Sequence, residues 1–180
     1  MQLEEANQGN MSPLVVKPLL VDLYCNTGQP DLALELLSPN VSEDPNMGTE
    51  PGMSYMRQGQ VYLLLGNYLS TATLWQDRAI PRIRFERSSR ALTSGQILGR
   101  GDLLTAANSD LSLPSLIQQQ SFWEFELAQV LLESGNPERA GDFFTRSLTL
   151  LPDSPYRRII AYYLEHMGLP VPTPTDSGAT

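Results

Sequence analysis

The chain has 180 residues, 41% hydrophobic and 18% charged, with a formal net charge of −8 at pH 7. That length suits one domain with a continuous core, and the modest apolar share predicts a thin, elongated one. The acidic balance repels phosphate backbones and anionic lipid, which argues against nonspecific nucleic-acid or membrane-surface binding.

Taken in chain order, the first ten residues, MQLEEANQGN, are polar and acidic and do not form a secretory signal, and residues 1–12 are expected to be poorly ordered. Residues 14–38 carry two apolar runs on either side of Gly28, which predicts a helix, a tight turn and a second helix. A linker, PNVSEDPNMGTEP (39–51), follows. The same order returns over 52–79, with Tyr55, Gly59, Tyr62, Gly66 and Trp75 in register. PRIRFERS (81–88) alternates with period two, which suits a strand as well as a helix, and the helical neighbours favour helix. Residues 91–114 hold Gly101 near a turn position and Ala106 five residues later, with the second helix cut short by Asn108, Ser109, Asp110 and Pro114. Residues 121–152 then give two amphipathic runs around Gly135-Asn136-Pro137, with Ala128 and Ala140 where the two helices would touch and Pro152 closing the unit. A last helix is expected over 155–167, with Ser154 as N-cap, Pro155 at the first position and Gly168 at the end. The tail, 168–180, alternates proline with small polar residues and is expected to be disordered.

Small residues at the helix contacts and a glycine at each turn resemble the tetratricopeptide repeat (TPR), a helix-turn-helix unit of 34 residues that stacks into a solenoid. The resemblance covers about 14–167 and sets repeats at about 14–40, 52–80, a degenerate 87–113, and 121–152, with 155–167 as a capping helix. It places Leu20, Val21, Tyr24, Ala33 and Leu37 of the first copy on the family's packing positions. In the second copy Gly59 is the small residue and Thr71 stands where alanine is expected. In the last copy Trp123 sits one place early, with Glu124 at the usual aromatic position. The implied fold is all-α: a short α-solenoid of stacked antiparallel helix hairpins with a C-terminal capping helix. The family geometry implies a concave groove lined by Asp22, Cys25 and Asn26, then Met53, Met56, Arg57 and Gln60, then Phe122, Phe125, Glu126, Gln129 and Glu133. That lining suits an extended peptide or helix. Some TPR proteins clamp a carboxylate with lysines and asparagines on this face. Lys17 is the only lysine here, so that clamp is not supported.

Candidates for chemistry are few. Cys25, the only cysteine, rules out an internal disulfide and fits a reducing, cytoplasmic compartment; on an amphipathic helix it reads as a small hydrophobe rather than a nucleophile. His166, the one histidine, lies in a helix's last turn and has no second ligand at metal spacing. Glu124, Glu126, Glu133 and Glu138 read as solvated helix faces rather than an acid/base pair. No phosphate-binding glycine loop or nucleophile elbow occurs. Arginine supplies all the basic residues but one, and Arg78, Arg82, Arg84, Arg87 and Arg90 crowd into one segment. Two readings stand: they recognise an acidic partner, or they bridge the acidic first half of the same chain, and the acidic net charge favours the second. The expected function is a protein-protein interaction scaffold with no catalysis, cofactor, metal, nucleic acid or membrane. It binds a protein or peptide partner, with self-association open. The alternative is a subunit or piece of a larger helical-repeat assembly, and an enzyme is a distant third.

Overall fold

The computed structural model describes residues 13–37, 52–99 and 113–173, with the backbone alone for 13–15 and 94–99. Every regular element among them is helical: α1 Pro13–Asn26, α2 Pro30–Leu36, α3 Met53–Leu64, α4 Tyr68–Leu74, a π-helical turn Trp75–Ala79, α5 Ile80–Gly99, α6 Leu113–Glu133, α7 Pro137–Leu150 and α8 Arg157–His166. The expectations for 1–12, for the linker 39–51, for the turn at Gly101 with Ala106, and for 174–180 fall outside the described residues. No helix among the described residues is long and apolar enough to cross a membrane. The chain divides into two compact units, one ending at Arg82 and the other beginning at Ile83.

One turn, written four times, ends α1, α3, α6 and α8. In the turn after α6, Gly135 has φ +79°, a left-handed backbone in which glycine alone carries no Cβ penalty. The Gly135 N–H donates to Leu132 O at 3.0 Å and the Asn136 N–H to Leu131 O at 2.8 Å, so carbonyls left over at the helix end are satisfied. Gly28, Gly66 and Gly168 repeat the left-handed backbone, and Gln29, Asn67 and Leu169 repeat the longer bond, each at 2.8 Å. After the first three, the next residue caps a new helix: Gln29 precedes Pro30, Asn136 precedes Pro137, and the Asn67 side chain accepts from Ser70 N–H at 3.1 Å. Stop and start signals thus share three residues, and each helix pair folds back as a hairpin.

In the first unit, α1 and α2 pair through Val21, Ala33 and Leu37, and Val61 of α3 joins the same buried cluster. Gly59 of α3 lies beneath the Trp75 indole, so close that an added Cβ would land inside the ring. The indole Nε1 donates to Met56 O at 3.1 Å, which satisfies the one polar atom of a side chain only 1% exposed. Thr71 also has a physical reason. Its buried hydroxyl lies 3.0 Å from both Gly59 O and Asn67 O, where an alanine would leave those carbonyls without it.

The arrangement after Trp75 corrects the expected repeat boundaries. No turn separates residue 80 from 87: α4, the π turn and α5 follow one another without a break. Proline at 81 would lose its bond to the carbonyl four residues back and clash with it. The π turn shifts the preceding bond by one residue, Ile80 N–H donating to Trp75 O, and so accommodates the proline. The segment 81–88 is therefore helix, not strand, and it does not open a separate copy at 87.

In the second unit, α6 and α7 form the closest hairpin. Ala128 and Ala140 are fully buried, and Ser121 and Ser147 exchange reciprocal bonds, Ser147 Oγ to Ser121 O at 2.8 Å and Ser121 Oγ to Ser147 O at 3.1 Å. Helix α8 packs on α7, and Phe144 stacks on Tyr163 at 5.1 Å. It begins two residues later than expected, because a turn closed by Arg157 N–H on Ser154 O at 2.9 Å precedes it; the Ser154 hydroxyl accepts from Tyr156 N–H. The described start of the tail is held rather than disordered. Arg157 Nη2 donates to Pro172 O at 2.9 Å, and Leu169 lies against Gly141. Proline-rich composition forbids helix there but not contact.

Candidate functional site

On α1, Asp22, Cys25 and Asn26 share one face, at spacings of three and four. On α3, Met53, Arg57 and Gln60 do the same, continued by Leu63 and Leu64. These eight residues line one open groove of about 520 Å³ in the first unit. Its chemistry is mixed by construction: a thioether and two leucines, two amides, a thiol and one ion pair. Arg57 Nε donates to Asp22 Oδ1 at 3.0 Å and Nη2 to Oδ2 at 3.2 Å, a fork-to-fork pairing that fixes both side chains. The pair leaves the groove near neutral, with its remaining polar lining in the Asn26 and Gln60 amides. Cys25 is half-buried, and desolvation, then the neighbouring Asp22 carboxylate, pushes its thiol above the ordinary range. A thiol so placed stays protonated at neutral pH and serves as packing surface.

Met56 does not belong to this groove. It is 1% exposed and forms core beneath the Trp75 contact, one residue around the helix from Arg57. The last copy needs a similar correction. Phe122, Glu126, Gln129 and Glu133 form one stripe on α6, with Glu133 exposed and the others half-buried, but Phe125 is buried. Tyr156 stacks on both rings, 5.3 Å from Phe122 and 4.8 Å from Phe125, so it covers one face of each. Glu126 is not a solvated carboxylate: burial pushes it up to about 7. Glu124 is not solvated either, at 1% exposure.

The partner of Glu124 lies in the arginine segment. Arg84 Nη2 and Nε donate to Glu124 Oε1 at 2.6 and 3.1 Å, and Gln120 Nε2 donates to the same oxygen at 2.8 Å. A buried charge is tolerated when paired and hydrogen-bonded in this way; removing Arg84 would cost about 3–5 kcal/mol. Arg90 pairs with Glu86 one turn away at 2.8 Å. Arg84 and Arg90 thus meet acids within the second unit. Arg82 is exposed and Arg87 half-buried, and neither forms an ion pair with a described carboxylate. The Gln120–Glu124 spacing of one helical turn was available to sequence reading. Nothing in the sequence ties Arg84 to a carboxylate forty positions on.

Comparison with protein-family models, with curated proteins and with solved structures returned no match.

Proposed function

We propose that the chain is a protein-interaction module of stacked helical hairpins, of tetratricopeptide-repeat type, that holds an extended peptide segment of a partner and performs no chemistry on it. The observation that carries this reading is the convergence of Asp22, Cys25, Asn26, Met53, Arg57 and Gln60 on one open groove. Each comes from the face that a repeat of this kind turns inward. A peptide suits the groove because its apolar wall accepts side chains while Asn26 and Gln60 offer donors and acceptors to a main chain. Peptides selected from a random displayed library are expected to bind the full chain. They are expected to lose about tenfold in affinity on an Asn26→Arg, Gln60→Arg double variant with an unchanged melting temperature. No enrichment, or equal binding to both proteins, would sink this function.

A second reading is a subunit of a larger helical-repeat assembly. It is favoured by the outer face of α8, where Ile159 and Tyr162 are 48% and 56% exposed. An end piece with a polar outer face would close a solenoid, whereas this one offers apolar surface to a further helix.

A further inference from the structure

Three helices of the second unit contribute to one open groove of about 570 Å³: Arg84 and Arg87 of α5, Gln120 and Glu124 of α6, and Arg146 of α7. We propose that this groove is a second peptide site, specific for an acidic segment of a partner protein, with its carboxylates on Arg87 and Arg146 and a main-chain N–H on Gln120.

The charges are distributed for that role. Arg84 is committed to the buried Glu124, so the lining keeps two uncompensated positive charges, Arg87 and Arg146. Neither forms an ion pair with a described carboxylate. The Arg146 guanidinium lies over the Phe143 ring, 5.0 Å from its centroid, which restrains an exposed side chain before any partner arrives. Arginine's planar fork matches a carboxylate in two hydrogen bonds.

Gln120 narrows the ligand class. Its Nε2 faces the Glu124 carboxylate, which settles which end of the amide is which. Its Oε1 is therefore an acceptor, in a side chain 3% exposed, and it has no donor among the described residues. A buried acceptor left unpaired is costly, so a donor that reaches it gains. A peptide backbone offers an N–H at every residue, whereas a phosphodiester or a lipid phosphate offers only acceptors. The formal charge of −8 further disfavours polyanions larger than a short acidic stretch.

The test rests on the chain being a peptide binder but alters nothing on α1 or α3, so its failure and that of the first groove are separable. A fluorescein-labelled peptide of alternating glutamate and alanine would be titrated into the full chain by anisotropy, beside a glutamine–alanine peptide and an oligothymidine. Binding of the glutamate peptide is expected to be saturable and to weaken with salt. It should fall about tenfold in an Arg87→Gln, Arg146→Gln variant and less than about twofold in a charge-matched Arg82→Gln, Arg158→Gln variant. The same comparison with Arg87→Gln alone guards against misfolding of the double variant. Absent glutamate-peptide binding, equal losses in the two charge-matched variants, or oligothymidine bound as tightly as the peptide would each overturn the proposal.

Discussion

At the scale of single residues, Gly59 and Glu126 carry the sharpest consequences. Gly59 is small because the Trp75 indole occupies the place of its side chain. Gly59→Ala forces the ring outward, breaks its bond to Met56 O, and opens the core on which α3 and α4 meet. A loss of about 2–4 kcal/mol is expected, with a red-shifted tryptophan emission; unchanged emission and melting temperature would mean that the indole is not where this packing puts it. Glu126 acts through protons. Its carboxyl is raised to about 7 in the folded chain against about 4.3 in an unfolded one, so the folded chain holds the proton more tightly. Stability is therefore greatest below about pH 4.3 for this group and falls as pH rises from there to about 7, by at most about 4 kcal/mol. Glu126→Gln should melt higher than wild type at pH 8 and alongside it at pH 4. Equal melting at both would show a solvated carboxylate.

At the scale of elements, the hairpin is the unit, and its contact residues set its stability. Ala140→Glu places a charge where α6 and α7 touch, at a position with no exposure, and should abolish the cooperative melting of that hairpin. Circular dichroism with undiminished helicity and an unchanged transition would contradict it. The elements also show what a sequence can and cannot disclose. The helix ends at Gly28, Gly66, Gly135 and Gly168 were legible because a left-handed backbone selects glycine locally. The small contacts at Ala33, Ala128 and Ala140 were legible because periodicity puts them on the apolar face. The passage from Trp75 to Ile80 was not. Pro81 signals a break, and only the π turn beside it lets the helix continue. Candidate surface residues failed by one position. An α-helix turns about 100° per residue, so Met56 and Phe125, neighbours of Arg57 and Glu126, fall into core instead of groove. Glu124 failed for a different reason, since its charge is balanced by Arg84, a contact of high sequence separation that no local pattern encodes.

At the scale of the whole molecule, the described residues are helical and fall into two units, each with an open groove. The first unit holds a nearly neutral groove whose arginine is engaged by Asp22, and the second holds a groove with two arginines to spare. Mixed amides and apolar walls in one and uncompensated cations in the other suit two kinds of peptide. The difference in charge between the grooves follows from where ion pairs close and where they do not. The proposed place for a partner segment is the Asp22–Gln60 groove. The most direct measurement is a nitrogen-15 amide spectrum of the full chain titrated with a library-selected peptide. The largest shifts are expected on the groove faces of α1 and α3, around Asn26, Arg57 and Gln60, and are expected to vanish in the Asn26→Arg, Gln60→Arg variant. Shifts confined to α8 around Ile159 and Tyr162, or a peptide that leaves every groove amide in place, would contradict it.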